Sequence, residues 1–490
     1  MNQLWVLFLL LVPFTGLSQN KLSVTDLKVR GTITDYHVDD LNGDSKPDIL
    51  VSYYITQKNG QVNRYLALFL QTQGGYLAEP NQILIIDPEI IGYDLANLTG
   101  DEKPEIVLVS ASTVEVGVLK DGLVLKESIK ILSAISFFLQ NPDIHHLPKL
   151  TLKNPVKQNG VDQLLILETS GLVLMTPVMK KNLTADKSYL SFDPPVSVTH
   201  NSSTVGTDVS LSYPGLVSGG SSLPQSVFLV FRDQIHWVRL NDFAKTPDKG
   251  PGVSVRFNRG ENETVNIGSV SDLNNDDVPD VVVERRQPRD IITNRLSIDF
   301  YYGRADKNQF SLPATPDQRI VSEALVVDFE LADLNNDNRT DVVVMEMSVS
   351  MGNFLSNLVN SDAKAVYKFH IQKNGKFSST PSLEKDVNQQ IDLNKNYFKP
   401  VFLSAAADFD GDGLPEILIK RSEKSMIAFG GSSSSLITAS PVLESAIAVP
   451  YHSRRTVAYH LFDQRRQDLI LTYGNLDSEG LRSVLRILSR

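Results

Sequence analysis

The segment Asp272-Leu-Asn-Asn-Asp-Asp-Val-Pro-Asp280 is the most informative part of this chain, because close copies of it recur. The copies are Asp40-Leu-Asn-Gly-Asp-Ser-Lys-Pro-Asp48, Asp333-Leu-Asn-Asn-Asp-Asn-Arg-Thr-Asp341 and Asp408-Phe-Asp-Gly-Asp-Gly-Leu-Pro-Glu416, with a weaker one over 97–105. Each copy leads directly into a β-rich apolar run, such as Val281-Val-Val283. This pattern predicts a polar loop followed by a buried strand.

Three further copies keep the strand but not the acidic loop. Asp162, Ser226 and Asp468 each precede an apolar run where a copy would be expected. With loops starting near residues 40, 97, 154, 218, 272, 333, 408 and 460, the average period is about 60 residues. A period of that length fits one four-stranded blade of a β-propeller.

The ends of the chain predict how such a ring closes. Four strands are predicted in the first period, over 36–39, 48–54, 64–72 and 76–84, whereas the last period has room for only three. Residues 21–30 precede the first period, and we expect them to supply the missing strand and remove the open edges. The sequence therefore predicts an all-β propeller of eight four-stranded blades, with seven blades and an extra hairpin as the alternative.

Composition narrows the class of protein. The chain has 490 residues, 41% of them hydrophobic, and no cysteine, which excludes a disordered protein and a disulfide scaffold. Its net charge of −10 repels phosphate backbones and anionic lipids, so we expect no nucleic-acid partner.

The N-terminal residues predict export. An apolar run over 4–14 is followed by Gly16-Leu-Ser18, the small residues expected before a signal-peptidase cut. We predict a signal peptide over 1–18 and a single propeller domain over 19–490. The mature chain has no other apolar run long enough to span a membrane. Two of its five Asn-X-Ser/Thr sequons, at Asn97 and Asn338, fall inside the acidic loops, and no disulfide is possible, so we expect a bacterial periplasmic, cell-surface or secreted protein rather than a eukaryotic glycoprotein.

The loops carry oxygen-bearing side chains at positions one, three, five and nine, counted from the first residue of each loop. Hard oxygen ligands of this number suit Ca²⁺, which accepts six to eight oxygens. The predicted ligands are Asp40, Asn42, Asp44 and Asp48; Asp101 and Glu105; Asp272, Asn274, Asp276 and Asp280; Asp333, Asn335, Asp337 and Asp341; and Asp408, Asp410, Asp412 and Glu416.

The alternative is that these residues only form turns, because Asp and Asn side chains bond to nearby backbone. Such turns explain one or two of these residues per loop, but not the same spacing of four oxygen-bearing side chains in four loops. Carboxylates crowded in this way repel each other and destabilise the loop unless a cation neutralises them. The loop beginning at Asp408 has the richest ligand set. The loop beginning at Asn97 is the weakest, because Asn97 and Thr99 replace two acids.

The loops and the strands after them resemble the FG-GAP/VCBS-type repeats of integrin-like β-propellers. The resemblance covers essentially the whole mature chain, but it is sharp only in the five loops. The Phe-Gly and Gly-Ala-Pro signatures of the integrin repeats are nearly absent, with Phe429-Gly-Gly431 the closest trace, so the resemblance is to exported bacterial members. It implies a non-catalytic binding or scaffold protein with structural Ca²⁺ that recognises a protein or a glycan.

The competing hypothesis is an enzyme, a Ca²⁺-dependent polysaccharide lyase or hydrolase, since some such enzymes resemble eight-bladed propellers. That function would need basic and acidic side chains gathered in a central cleft, for example Arg285, Arg286 or His370. The sequence alone does not show whether these residues come together.

Overall fold

The computed structural model describes residues 22–101, 103–120, 123–133, 143–156, 160–168, 171–179, 183–193, 196–201, 206–211, 213–245, 250–289, 293–347, 361–391, 402–433, 435–451 and 456–490. Over these residues the chain is an all-β propeller of eight blades, which confirms the predicted fold and excludes the seven-bladed alternative. The predicted signal peptide lies outside the described residues. Among the residues described, no helix has the length and apolar character needed to cross a membrane.

The strands are numbered β1 to β39 in chain order, and β1 (Ser23–Lys28) precedes the first blade. Blades 1 to 4 contain β2 (Thr32–Asp39), β3 (Asp48–Thr56), β4 (Val62–Phe69) and β5 (Gln82–Ile86); β6 (Ile90–Ala96), β7 (Glu105–Ser110), β8 (Thr113–Lys120) and β9 (Leu123–Ser133); β10 (Leu164–Glu168), β11 (Gly171–Met179) and β12 (Leu183–Ser191); and β15 (Gly215–Ser218), β16 (Ser226–Val230), β17 (Gln234–Arg239) and β18 (Val253–Arg256).

Blades 5 to 8 contain β19 (Thr264–Ser271), β20 (Asp280–Pro288), β21 (Asn294–Tyr301) and β24 (Gln318–Ala324); β25 (Val326–Ala332), β26 (Asp341–Met347), β27 (Ser361–His370) and β30 (Leu383–Ile391); β31 (Phe402–Ala407), β32 (Glu416–Ser422), β33 (Ser425–Phe429) and β36 (Leu443–Ser445); and β37 (Thr456–Tyr459), β38 (Asp468–Leu471) and β39 (Val484–Ser489), joined by β1. Small hairpins are formed by β13 (Val196–Asn201) and β14 (Gly206–Leu211), β22 (Arg304–Asp306) and β23 (Gln309–Ser311), β28 (Gln372–Lys373) and β29 (Lys376–Phe377), and β34 (Gly431–Ser432) and β35 (Leu436–Ile437).

The hydrophobic core lies between the blades. The second strand of a blade is apolar on both faces because each face packs on a different neighbour. In blade 5, Val281 and Val283 pack towards blade 4, whereas Val282 packs towards blade 6. The alternating contacts explain why the apolar runs after the acidic loops are continuous.

The ring is closed by the N-terminal strand, as predicted. β1 pairs antiparallel with β39, from Ser23 opposite Ser489 to Lys28 opposite Val484. Arg486 Nε and Nη2 bond to the two Asp26 carboxylate oxygens at 2.7 and 2.8 Å, and Leu27 is fully buried in the core between blades 8 and 1. The two ends of the chain therefore form one blade.

Two details differ from the predicted strands. In blade 1 the fourth strand begins at Gln82, not at residue 76, because Tyr76 lies in the preceding turn with its hydroxyl bonded to the Pro47 carbonyl. Among the described residues, blade 3 has three strands, and the segment before it contacts two blades: Leu150 N donates to Tyr93 O of blade 2 at 2.7 Å, and Leu165 N of β10 donates to Leu152 O at 2.8 Å. The Asp94 carboxylate also accepts the Leu152 N–H at 2.7 Å, which holds this segment on the neighbouring blade.

We expect Leu27→Ala to destabilise the ring by about 2–5 kcal/mol, because it leaves a cavity in the closing blade. Val24→Ala on the same strand is the matched control, since Val24 is 45% exposed, and we expect it to cost under about 1 kcal/mol. Urea unfolding of both variants measures the difference. Equal midpoints would show that β1 contributes little to closure.

Candidate metal centre

The five acidic loops occupy equivalent places in their blades. Each joins the first strand of a blade to the second, in blades 1, 2, 5, 6 and 7. Because the first strands of all blades run in the same direction, the loops lie on one face of the ring. The predicted ligands therefore lie in one equivalent loop of each of these five blades.

The carboxylate at position one shapes each loop. In the Asp272 loop, its two oxygens accept the Asp276 and Asp277 N–H groups at 3.1 and 2.7 Å. This tight curl puts positions four and six in the left-handed region, with φ of 62° at Asn275 and 67° at Asp277. The equivalent positions of the Asp408 loop are Gly411 and Gly413, which adopt such angles at no steric cost.

The acid at position nine is buried and pins the loop to the blade. Asp280 is 0% exposed, and its Oδ2 accepts the Leu273 N–H at 3.0 Å. Its Oδ1 accepts the Gly303 N–H at 2.8 Å, just beyond the end of β21. Asp48 and Asp341 make the same pair of contacts, which join the loop to the end of the third strand.

An acid at position nine also occurs in two blades for which the sequence predicts no metal site. In blade 8, Asp468 accepts the Leu461 and Phe462 N–H groups, both at 3.1 Å. In blade 3, Asp162 accepts the Asn97 N–H of the preceding blade at 2.8 Å. In the sequence, each of these acids is visible as the residue just before an apolar run. Each accepts backbone N–H groups, and this structural role explains its presence in a loop that has no predicted metal site.

The Asn97 loop satisfies its acids internally. Glu105 accepts the Leu98 N–H at 2.7 Å with one oxygen and the Thr99 hydroxyl at 2.6 Å with the other. Asp101 Oδ1 accepts the Lys103 N–H at 3.2 Å and lies 3.1 Å from the Thr99 hydroxyl, whose one proton it shares with Glu105.

The residue at position seven is basic in two of the remaining four loops and apolar in the other two. In the Asp40 loop, Lys46 Nζ lies 2.9 Å from Asp44 Oδ2, and in the Asp333 loop Arg339 Nη1 lies 3.7 Å from Asp337 Oδ2. The Asp272 and Asp408 loops have apolar residues there, Val278 and Leu414, and each holds four carboxylates with no basic residue of its own. These two loops therefore carry the largest uncompensated negative charge.

Within the described part of the five acidic loops, buried oxygens without a hydrogen-bond partner occur in these same two loops, and Asp162 Oδ1 of blade 3 is a further such oxygen outside them. Among the described residues, Asn274 Oδ1 and Glu416 Oε1 are buried without a hydrogen-bond partner. Asp408, Asp410 and Glu416 each place an oxygen within 4.8 Å of the others. Arg490 Nη1 reaches Asp410 Oδ2 at 2.9 Å from the C-terminal residue and partly offsets this charge. A buried acceptor without a donor is costly, so the residues present fit a hard divalent cation.

Burial raises the pKa of the acids at position nine. The pKa of Asp280 rises to about 7, with a further contribution from the Asp276 and Asp272 carboxylates. Burial and then the Asp410 carboxylate raise the pKa of Glu416 to about 7. Burial likewise raises the pKa of Asp48 and of Asp341 to about 6.

The three residues suggested for an enzyme, Arg285, Arg286 and His370, each contact different partners. Arg285 bonds to Asp299 and to Glu263, each at 2.9 Å. Arg286 pairs with Glu284 and with Asp328 of blade 6. His370 Nδ1 lies 3.4 Å from the Ser378 carbonyl oxygen. Each has a structural partner, and no contact among the described residues joins the three into one site.

Comparison with known proteins gives structural similarity only. No family profile matches the chain, and no curated protein matches its sequence. The chain is similar to the biofilm matrix protein Bap1 of V. cholerae, with 12% identity, coverage of 94% of this chain and 87% of that chain, and a TM-score of 0.29. It is also similar to BBS1N, solved in complex with ARL6DN, with 9% identity, 94% coverage of each chain and a TM-score of 0.33.

We expect Asp341→Ala to destabilise the protein in EDTA, because it leaves the Leu334 and Gln372 N–H groups without an acceptor. Each unpaired N–H group should cost roughly 1–3 kcal/mol of unfolding free energy. Asp337→Ala is the control in the same loop and should cost under about 1 kcal/mol, since its side chain is partly exposed and accepts from exposed backbone. Urea unfolding in EDTA measures both. Equal losses would contradict the pinning role.

The raised pKa of Asp280 predicts a pH dependence in EDTA. The folded chain keeps this proton up to pH about 7, whereas the unfolded chain loses it near pH 4, so the free energy of unfolding falls as pH rises between these values. Asp280→Asn removes the titrating group. The difference in unfolding free energy between the native chain and this variant should therefore shrink with rising pH, and a constant difference would contradict the shift.

Proposed function

We propose that this chain is an exported, non-catalytic binding or scaffold propeller of the FG-GAP/VCBS type, which binds structural Ca²⁺ in its loops and recognises a protein or a glycan. The observation that supports it most is the chemistry of the Asp272 and Asp408 loops. Each combines four carboxylates, no basic residue of its own and a buried oxygen without a partner.

The loops should differ in affinity for Ca²⁺. Asp408, Asp410, Asp412 and Glu416 would hold the ion in one loop, and Asp272, Asn274, Asp276 and Asp280 in the other. The Asp40 and Asp333 loops should bind more weakly, because Lys46 and Arg339 compete for the acid at position five. The Asn97 loop should be weakest, since its acids already have partners within the loop.

Cation binding would stabilise the frame on which recognition depends. In the Asp40, Asp272 and Asp333 loops, the acid at position nine ties the loop to the end of the third strand, so a neutralised loop there holds three strands of a blade together. The Asp408 loop also adjoins the closing blade: Gln467 N donates to Asp408 O at 2.8 Å, and Asp408 N donates to Gln467 Oε1 at 3.0 Å. Ca²⁺ in this loop would therefore stabilise the junction between blades 7 and 8.

A binding role suits this architecture. A propeller presents many loops on one rigid frame, and such loops commonly carry recognition. The predicted export places the protein where Ca²⁺ is plentiful and where surface glycans and proteins are available as ligands. Arg285, Arg286 and His370 pair separately, so these three residues do not form the central cleft that the enzyme hypothesis requires.

We expect added Ca²⁺ to raise the melting temperature above that measured in EDTA, by an amount equivalent to about 2.7 kcal/mol for each site whose Kd is about a hundredfold below the free Ca²⁺ concentration. Glu416→Gln should reduce this gain. Glu105→Gln is the matched control, because Glu105 holds the same position in the Asn97 loop with both oxygens occupied. Calorimetry with and without EDTA measures the gain, and an unchanged native melt would rule out the calcium proposal.

We expect the protein to bind its ligand without changing it. A glycan array and a pull-down with extracellular protein would identify candidates, and mass spectrometry of each bound oligosaccharide after prolonged incubation should show an intact molecule. Cleaved products formed by the purified chain, and absent with a heat-unfolded sample, would instead establish an enzyme.

A further inference from the structure

A cleft of about 300 Å³ opens to solvent between blades 6 and 7, on a part of the ring distinct from the acidic loops. It is bordered by β30 of blade 6 and by β32, β33 and residues 439–441 of blade 7. We propose that this cleft binds a uronic acid unit of an acidic polysaccharide, with Lys385 and Arg421 holding the sugar carboxylate. The inference rests on the proposed binding function and gives it a ligand class.

The floor of the cleft offers little free apolar surface. Ile427 and Phe429 are 4% and 3% exposed, and with Val387 they belong to the core between the two blades. Their apolar area is already used to hold the ring together. The accessible groups are the charged and amide side chains together with the exposed Ala439 and Pro441, a mixture that suits the polar edge and the small apolar face of a sugar ring.

Lys385 provides a fixed positive charge at this floor. Its ammonium lies 4.8 Å from the Phe429 ring centroid and donates to the Ala439 carbonyl. No described carboxylate forms an ion pair with it, whereas Lys364 on the neighbouring strand pairs with Asp386 at 2.7 Å. An ammonium has three donors, so Lys385 keeps capacity for an anionic ligand.

Arg421 supplies a second cation from the opposite wall. Its Nη1 lies 2.6 Å from Glu444 Oε1, and the two side chains are 46% and 57% exposed. An exposed pair of this kind contributes only about 0–1 kcal/mol, so a ligand carboxylate can share or replace Glu444 at little cost. The planar guanidinium is suited to a bidentate contact with a carboxylate.

The local charge favours an anion although the whole chain is acidic. Lys385, Arg421 and Lys364 outnumber Asp386 and Glu444, on a protein whose net charge is −10. The cleft is thus a positive site on a negative molecule, which an anion would select.

The neutral groups and the size of the cleft match a sugar ring. The Asn388 amide and the Ser440 hydroxyl also line the cleft and offer both donors and acceptors for sugar hydroxyls. A cleft at the small end of the usual range for ligands suits one ring, and its opening to solvent leaves room for the polymer on either side.

The test is calorimetric titration with trigalacturonate at low ionic strength in EDTA, with a neutral trisaccharide and pentaglutamate as comparison probes. We expect trigalacturonate to bind, the neutral probe not to bind, and Lys385→Met to weaken binding at least about tenfold, or about 1.4 kcal/mol. Lys373→Met is the matched control: it removes the same charge from an exposed residue of β28, outside the cleft lining, and should change the affinity less than about twofold.

Arg421→Gln, at an exposed side chain, gives a second variant if Lys385→Met does not fold, and it should also weaken binding. The proposal is overturned if trigalacturonate does not bind, if both cleft variants bind like the native chain, or if pentaglutamate binds as tightly through the same residues. Binding that requires Ca²⁺ would likewise overturn it. Because the titration is performed in EDTA, its outcome is independent of the calcium-dependent melt.

Discussion

A blade of this ring has no hydrophobic core of its own, and this constraint governs the rest of the structure. Each sheet buries its two faces only against the blades before and after it, so no blade is complete until the ring is closed. The pairing of β1 with β39 meets that requirement by joining the two ends of the chain in one sheet. Closure then holds loops that are far apart in sequence on one rigid face.

The acidic loops show how one carboxylate pattern serves two purposes. Positions one and nine bond to backbone N–H groups and give the loop its shape in any case, so turn chemistry explains part of the repeat. It does not explain the charge that remains in the Asp272 and Asp408 loops. There, Val278 and Leu414 stand where Lys46 and Arg339 compensate in other blades, and buried oxygens are left without donors. Shape comes from the protein alone, whereas the charge left in these two loops is what the proposed Ca²⁺ would balance.

The two kinds of site proposed for this protein use opposite chemistry on one frame. The loop face gathers carboxylates and suits a hard cation that stabilises the blades. The cleft between blades 6 and 7 gathers cations, amide and hydroxyl groups and suits an anionic sugar. Each loop draws its ligands from one repeat, whereas the cleft lies at a junction between blades, where side chains from different repeats meet. Such junctions are places where a repeat protein can acquire a ligand site without changing its core.

The sequence by itself determined the repeat, the closing strand and the loops in which oxygen ligands are concentrated, whereas for the number of blades it left seven as an alternative to eight. These features follow from short-range spacing, since nine consecutive residues contain both the curl of a loop and the start of a strand. It did not determine that Asp280 meets Gly303, that Arg490 reaches Asp410, or that Lys385 lies over Phe429. Those contacts join residues 23 to 80 positions apart. Only the tertiary structure decided them, because they depend on strand register and on how neighbouring blades pack, and local sequence does not encode either.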